Sequence, residues 1–218
     1  MEARIRALAG LLAPYRRVAD IGAGSGVLAR WLLERGHRVV ATDVSPHAVA
    51  ALAAALPGAA VRLGDGLTPV GRDEVDAAVL AGLGGRTIAR VLRRDAARAA
   101  GWTVVLQPMD TLAPVVAALR ELDRGVAGGT LVASGGRLYA ILVAPPGLAW
   151  NGPDDRRWDA LGAWLIDDPL WPAWVDAHIA RAAARHATVR PTSGRAMTAR
   201  RALAAEIAWL KERRHVET

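Results

Sequence analysis

Three short apolar runs that each close on an acid constrain this chain most, and the first is the most restrictive: Val18-Ala19-Asp20-Ile21-Gly22-Ala23-Gly24-Ser25-Gly26. A strand-like run reaches Asp20, glycines then alternate with small residues, and a helical pattern begins at Val27. Glycine permits a tight turn and lets backbone N–H groups approach a bound group with no Cβ in the way. A flexible turn after a buried strand is the plain alternative for such a loop, and the spacing downstream argues for a site. Arg38-Val39-Val40-Ala41-Thr42-Asp43 is a second strand-like run with an acid at its end, followed by Val44 and a Ser45-Pro46 helix start. Val61-Arg62-Leu63-Gly64-Asp65-Gly66 is the third. Acids at the carboxyl ends of successive parallel strands line one crevice of an open sheet.

Such a crevice suits a nucleoside with few phosphates, since no Gly-Lys-Ser/Thr ending is present to hold a triphosphate. An acid ending the second strand can accept hydrogen bonds from both ribose hydroxyls. The pattern resembles the S-adenosyl-L-methionine (SAM) dependent methyltransferases of the Rossmann-like class. Glycines at 22, 24 and 26 do not follow the Gly-x-Gly-x-x-Gly spacing of a dinucleotide site.

The remaining pattern predicts the architecture. Ile5, Leu8, Leu11 and Leu12 repeat at helical spacing over residues 2–13, and Pro14 closes that helix. Further strands are expected at Val75–Leu80 and Thr103–Gln107. Gly82-Leu83-Gly84-Gly85 should lead into a helix to about Arg98, and another helix should span Ala113 to Asp123. Thr130–Ala133 and Leu138–Val143 flank Ser134-Gly135-Gly136 and read as a hairpin. The expectation is an α/β fold: a Rossmann-like, seven-stranded, mostly parallel sheet with a C-terminal helical, coiled-coil-like appendage. Pro145-Pro146-Gly147 marks the boundary, giving residues 1–147 and 148–218 as the two domains. In the second, Asn151-Gly152-Pro153-Asp154 should cap a helix carrying Trp158, Leu161 and Leu165, and Ser193 should cap the last helix.

Composition narrows the function classes. With no cysteine among 218 residues, disulfides, thiolate metal sites and cysteine nucleophiles are excluded. The histidines at 37, 47, 178, 186 and 215 form no ligand-like pattern, so no metal site is expected. Apolar runs are too short or too interrupted to cross a membrane, and no signal-peptide pattern opens the chain, which points to the cytoplasm. A net charge of +7 fits a polyanionic partner, although abundant Arg and Ala also suggest a compositional bias. The charge is uneven. Residues 151–176 carry two Arg against six acids, whereas 177–218 carry nine basic residues against three Glu. Arg181, Arg185, Arg190, Arg195, Arg200 and Arg201 are the candidate RNA-backbone contacts.

A closer resemblance rests on five segments in order: Asp20-Ile-Gly, Arg62-Leu-Gly-Asp-Gly-Leu67, Ala81-Gly-Leu-Gly-Gly85, Leu106-Gln-Pro108 and Gly136-Arg-Leu-Tyr139. Together they resemble the bacterial tRNA (adenine-22-N1)-methyltransferase family, of which the chain would be a divergent member. Ala23-Gly24-Ser25-Gly26 replaces that family's Asp-His pair, Leu83 a methionine, and Met109 an asparagine. The resemblance implies SAM as cofactor and tRNA as substrate. It implies that Asp20, Gly22, Gly24, Gly26, Asp43, Val44, Asp65 and Gly66 bind the cofactor. Gly82, Leu83, Gly84, Gly85, Gln107 and Pro108 would form the catalytic, base-binding pocket. Within that reading Asp43 would hold the ribose, Asp65 the cofactor's adenine amine, and Asp20 the loop or the ammonium group. The turn after the fourth strand lacks the Asn/Asp-Pro-Pro-aromatic pattern of exocyclic-amine methylation, which favours N1. A methyltransferase of small molecules or proteins, and a non-catalytic RNA-binding protein that keeps the fold, remain the alternatives, and oligomeric state stays open.

Overall fold

A computed structural model describes residues 2–214 of the chain. Its first unit, up to Trp164, is an α/β sandwich, and a second unit begins at Leu165. The strands are β1 (Arg17–Ile21), β2 (Arg38–Asp43), β3 (Ala60–Leu63), β4 (Ala77–Leu83), β5 (Thr103–Pro108), β6 (Gly128–Ser134) and β7 (Arg137–Ala144). They form one seven-stranded sheet in the order β3-β2-β1-β4-β5-β7-β6. Pairings from β3 through β5 are parallel, and β7 runs antiparallel to both β5 and β6. The order reverses between β1 and β4, so their carboxyl ends flank the crevice where an open α/β sheet binds ligands.

Both faces of the sheet are covered, as parallel strands require. On one face Val18, Val39, Ala41, Ala77, Val79 and Val105 pack with Leu8 and Leu12 of α1 (Ala3–Leu12), Leu28 and Leu32 of α2 (Val27–Leu33) and Leu52 of α3 (Pro46–Ala55). The alternate set, including Val40, Ala78, Leu80, Val104 and Leu106, is buried on the opposite face. There α4 (Gly85–Arg94) and α5 (Ala113–Glu121) contribute Ile88, Leu92, Val115 and Leu119 to the core. The Ser45 hydroxyl caps α3 by accepting from the Ala48 N–H at 3.3 Å, with Pro46 at the first position.

Three expectations are corrected. The first unit extends past Gly147 to Trp164, because the segment after the prolines is bonded to it. Asn151 caps no helix. Its amide pairs with the Val126 backbone in both directions, at 3.0 and 2.9 Å, and Arg120 forks onto Asp159 at 2.8 and 2.6 Å. The helix expected through Leu165 is therefore one turn, α6 (Trp158–Leu161). Thirdly, β4 runs to Leu83, so Gly82 and Leu83 belong to the strand rather than to a turn, and α4 stops at Arg94, short of Arg98.

In the second unit α7 (Trp171–Thr188) and α8 (Gly194–Arg213) run antiparallel. The Trp171 indole N–H donates to the Arg213 carbonyl at 2.9 Å, and Arg185 pairs with Glu206 at 2.6 Å. Ser193 caps α8 as its position predicts, accepting from the Ala196 N–H at 3.2 Å. No described helix is long and apolar enough to cross a membrane.

Candidate active site

The carboxyl ends of β1 and β2 are tied to each other before any ligand is considered. Gly22 and Ala23 both donate to the Thr42 carbonyl, at 2.8 and 2.9 Å. Asp43 accepts from the Gly24 N–H at 3.1 Å and the Ser45 N–H at 2.9 Å, one on each carboxylate oxygen. Gly22, Gly24 and Gly26 have φ of 70, 54 and 70°, a conformation that side chains resist, which is why the turn needs glycine. Val44 stands exposed beside Asp43.

Asp20 lies within β1 and is only 5% exposed. Burial pushes its carboxyl up to about 7, the nearby Asp43 charge adds to this, and a hydrogen bond from the Ala29 backbone opposes it. No described cation stands against it. Asp65, in contrast, is paired with two cations: Arg90 and Arg94 reach its Oδ2 at 2.8 and 2.5 Å, and Arg90 reaches Oδ1 at 3.3 Å. Those guanidinium hydrogen bonds hold its carboxyl down at about 2. Arg94 also bonds the Asp65 carbonyl and the buried Asp95, which accepts from the Leu67 N–H, so the Asp65–Gly66 turn is strapped onto α4. Gly66, at φ 63°, has no room for a Cβ between Arg94 and Val91.

The β4–β5 end supplies the other half. Pairing passes from Ala81↔Gln107 directly to Leu83↔Pro108, which bulges Gly82 out of the ladder at φ 74°. The freed Gly82 N–H donates to Gln107 Oε1 at 3.2 Å, and Gln107 is completely buried. Gly84 precedes α4 and Gly85 opens it. The Gly85 N–H donates to Asp110 Oδ1 at 2.7 Å, an acid at a helix N-terminus that the hydrogen bond keeps ionised below its usual range. A Cβ at Gly85 would fall 2.0 Å from the Thr111 carbonyl oxygen. Leu83 crosses to the other half, since its Cδ2 lies 3.1 Å from where a Gly22 Cβ would be.

Asp20, Gly22, Gly24, Gly26, Asp43 and Val44 thus gather at one end of the sheet, and Gly82–Gly85, Gln107 and Pro108 at the same end across the β1–β4 switch. Asp65 and Gly66 follow β3 at that end but are engaged by α4. Arg90, Arg94 and Asp110 escaped the sequence reading. Only Asp110, two residues past Pro108 at a strand exit, carried any local signal.

The six tail arginines belong to the second unit. Arg190, Arg195 and Arg201 are exposed and make no ion pair among the described residues, whereas Arg185 pairs with Glu206 and Arg200 donates to the Val189 carbonyl at 3.3 Å. Arg181 lies against His178, whose Nδ1 meets the Trp174 carbonyl at 2.9 Å. His37 Nδ1 is taken by the Tyr15 carbonyl at 2.7 Å, and His215 lies outside the described residues.

Residues 1–142 match the family described as "Methyltransferase domain". Uncharacterised methyltransferases of Mycobacterium tuberculosis and Mycobacterium bovis are 44% identical over 72 residues, 33% of this chain. The match covers 30% of the length of those curated relatives. Among solved structures, the B. subtilis m1A22 tRNA methyltransferase TrmK superposes with a TM-score of 0.87 at 19% identity, covering 99% of each chain. A Streptococcus pneumoniae protein in complex with S-adenosyl-L-methionine superposes with a TM-score of 0.83 at 22% identity, covering 97% of this chain and 98% of that one. At these identities the likeness to the solved structures is one of fold.

Proposed function

This chain belongs to the methyltransferase-domain family, and from that premise we propose that it transfers a methyl group from SAM to N1 of an adenine in tRNA, adenine 22 by analogy with TrmK. The observation that carries the reading is the pairing of a glycine loop and Asp43 on one side of the switch with a bulged glycine and a buried Gln107 on the other.

The residues fit the cofactor. Asp43 spends two lone pairs on Gly24 and Ser45 and keeps about two for vicinal ribose hydroxyls. Asp20 is a buried acid with no described cation beside it, so an ammonium group would supply the missing counter-charge. Asp65 keeps a free lone pair on Oδ1, the one place it could accept from an adenine amine. Gly22, Gly24, Gly26, Val44 and Gly66 would line the walls. Bound there, the cofactor supplies an electrophilic methyl group on a sulfonium.

The rest falls to the chain's own residues. Adenine N1 is unprotonated at neutral pH, so no side chain has to remove a proton before it attacks. What remains is positioning and exclusion of water. The Gly82 bulge and the Gly84-Gly85 helix start leave backbone, not side chains, facing a flat base, with Leu83, Gln107 and Pro108 as its walls. A base reaching this pocket must leave its stack, and the exposed Arg190, Arg195 and Arg201 would hold the tRNA backbone, with Arg181, Arg185 and Arg200 contributing once their internal contacts are exchanged.

The test is methyl transfer to two unmodified tRNA transcripts that differ only in adenine or guanine at position 22. Labelling of the adenine transcript alone supports the reading, and equal labelling of both removes the position.

A further inference from the structure

Gln107 is the sole glutamine in the chain, and it is wholly buried at the end of β5. Its amide is more constrained than a pocket wall needs. Oε1 accepts twice, from the bulged Gly82 N–H at 3.2 Å and from Arg4 Nη1 at 2.9 Å. Nε2 donates to the Pro108 carbonyl at 2.8 Å, and its other hydrogen faces the Met109 thioether at 3.7 Å. Arg4 reaches this point from α1, across 103 residues of sequence. It is itself held: Glu2 Oε1 stands 3.5 Å from its Nε, the Ser134 hydroxyl donates to that same oxygen at 2.6 Å, and the Tyr139 ring lies 5.8 Å from its guanidinium carbon. The Arg4 side chain is 16% exposed.

A guanidinium can only donate, and so can a backbone N–H. Turning the Gln107 amide over would bring its NH2 against two donors and leave both unsatisfied in a buried place, so one orientation alone is stable. In that orientation Nε2 faces the exit of β5 with one hydrogen on a strong acceptor and the other on a thioether, which accepts weakly. Because Gln107 is wholly buried, a better acceptor would gain that hydrogen by displacing the Met109 thioether. Adenine N1 must keep its lone pair for attack, so the acceptor on the substrate is another ring nitrogen.

We propose that Arg4 is a positioning residue, which holds the Gln107 amide with Nε2 outward as the hydrogen-bond donor that orients a purine in the pocket. The inference rests on the base-pocket reading above for its consequence, but not for the hold of Arg4 on Gln107.

The sequence makes the two separable. Gln107 and Asn151 are the only side-chain amides in the chain, so a ¹⁵N-correlated spectrum contains two NH2 pairs, with Asn151 as internal control. Arg4→Met should shift or broaden the Gln107 pair and leave that of Asn151 in place, and Arg4→Lys, which still donates, should restore it. In single-turnover methylation of tRNA, Arg4→Met should slow transfer at least tenfold with SAM affinity unchanged, and Arg4→Lys should recover most of the rate. In a Gln107→Leu background Arg4→Met should cost less than twofold more, because its only route is gone. Should Arg4→Met fail to fold, Arg4→Gln, which can donate but need not, is expected between wild type and Gln107→Leu. An unmoved Gln107 pair overturns the proposal, as does a wild-type rate or an undiminished Arg4→Met effect in the Gln107→Leu background. If the Gln107 pair responds but the wild-type protein methylates no tRNA, the hold on Gln107 stands and the base-pocket reading fails.

Discussion

Replacing Asp20 by asparagine should make this protein more stable above neutral pH, the reverse of what most core substitutions do. The carboxyl ionises near 3.8 when exposed and is pushed to about 7 in the folded chain, chiefly by burial. Below about pH 4 both states hold the proton and the residue is neutral in its effect. Between those values the unfolded chain loses its proton first, so stability falls as pH rises, and the loss is complete above the folded pKa. At about 1.4 kcal/mol for each pH unit between the two values, the loss comes to roughly 4 kcal/mol at pH 8. Asparagine removes that whole dependence. It can still accept from the Ala29 backbone, but its NH2 would lack a partner, at a cost of about 1–3 kcal/mol at every pH. The variant should therefore be the less stable protein at pH 4 and equal or better at pH 8. Urea denaturation of both proteins at several pH values isolates Asp20 together with its interaction with Asp43, since groups not coupled to Asp20 cancel in the difference. Parallel curves would mean that Asp20 is ionised and satisfied in the apo protein, and the case for a missing cation would fall.

Other consequences follow from single positions. Asp43→Ala should weaken SAM binding by calorimetry about 10- to 100-fold, the size expected for losing a charged acceptor of about 1.5–3 kcal/mol; an unchanged constant removes Asp43 from the site. Gly85→Ala drives a Cβ to 2.0 Å from the Thr111 carbonyl oxygen and should cost about 1–3 kcal/mol in denaturation, with loss of methyl transfer as Asp110 releases the helix. Alanine at Arg190, Arg195 and Arg201 together should weaken tRNA binding and flatten its dependence on salt concentration, by roughly one unit of slope for each phosphate no longer neutralised, leaving SAM affinity alone. An unaltered slope would make the second unit a structural element.

What could be read from the sequence followed from local chemistry. The glycines at 22, 24 and 26 need positive φ, and the three acids stand at or just past the carboxyl ends of β1, β2 and β3, so the loop and the crevice could be located without coordinates. Ser193 capped its helix because an N-cap is decided within three residues. Long-range bonds were not legible. Nothing near Asn151 shows that its amide will pair with Val126 instead of capping a helix, and the first unit ends at Trp164 rather than at Gly147. Asp65 reads as a free acid because the arginines that hold it sit on α4, 25 and 29 residues away. The Gly82 bulge arises from register against β5, which no pattern within β4 specifies. Arg4 lies in an amphipathic helix and looks like one more solvated charge until β5 is beside it.

The most direct measurement is incubation of the purified full chain with methyl-labelled SAM and bulk unmodified tRNA, followed by nucleoside analysis. The account predicts label in 1-methyladenosine alone. Label in another nucleoside, or none while SAM binding is intact, would contradict it.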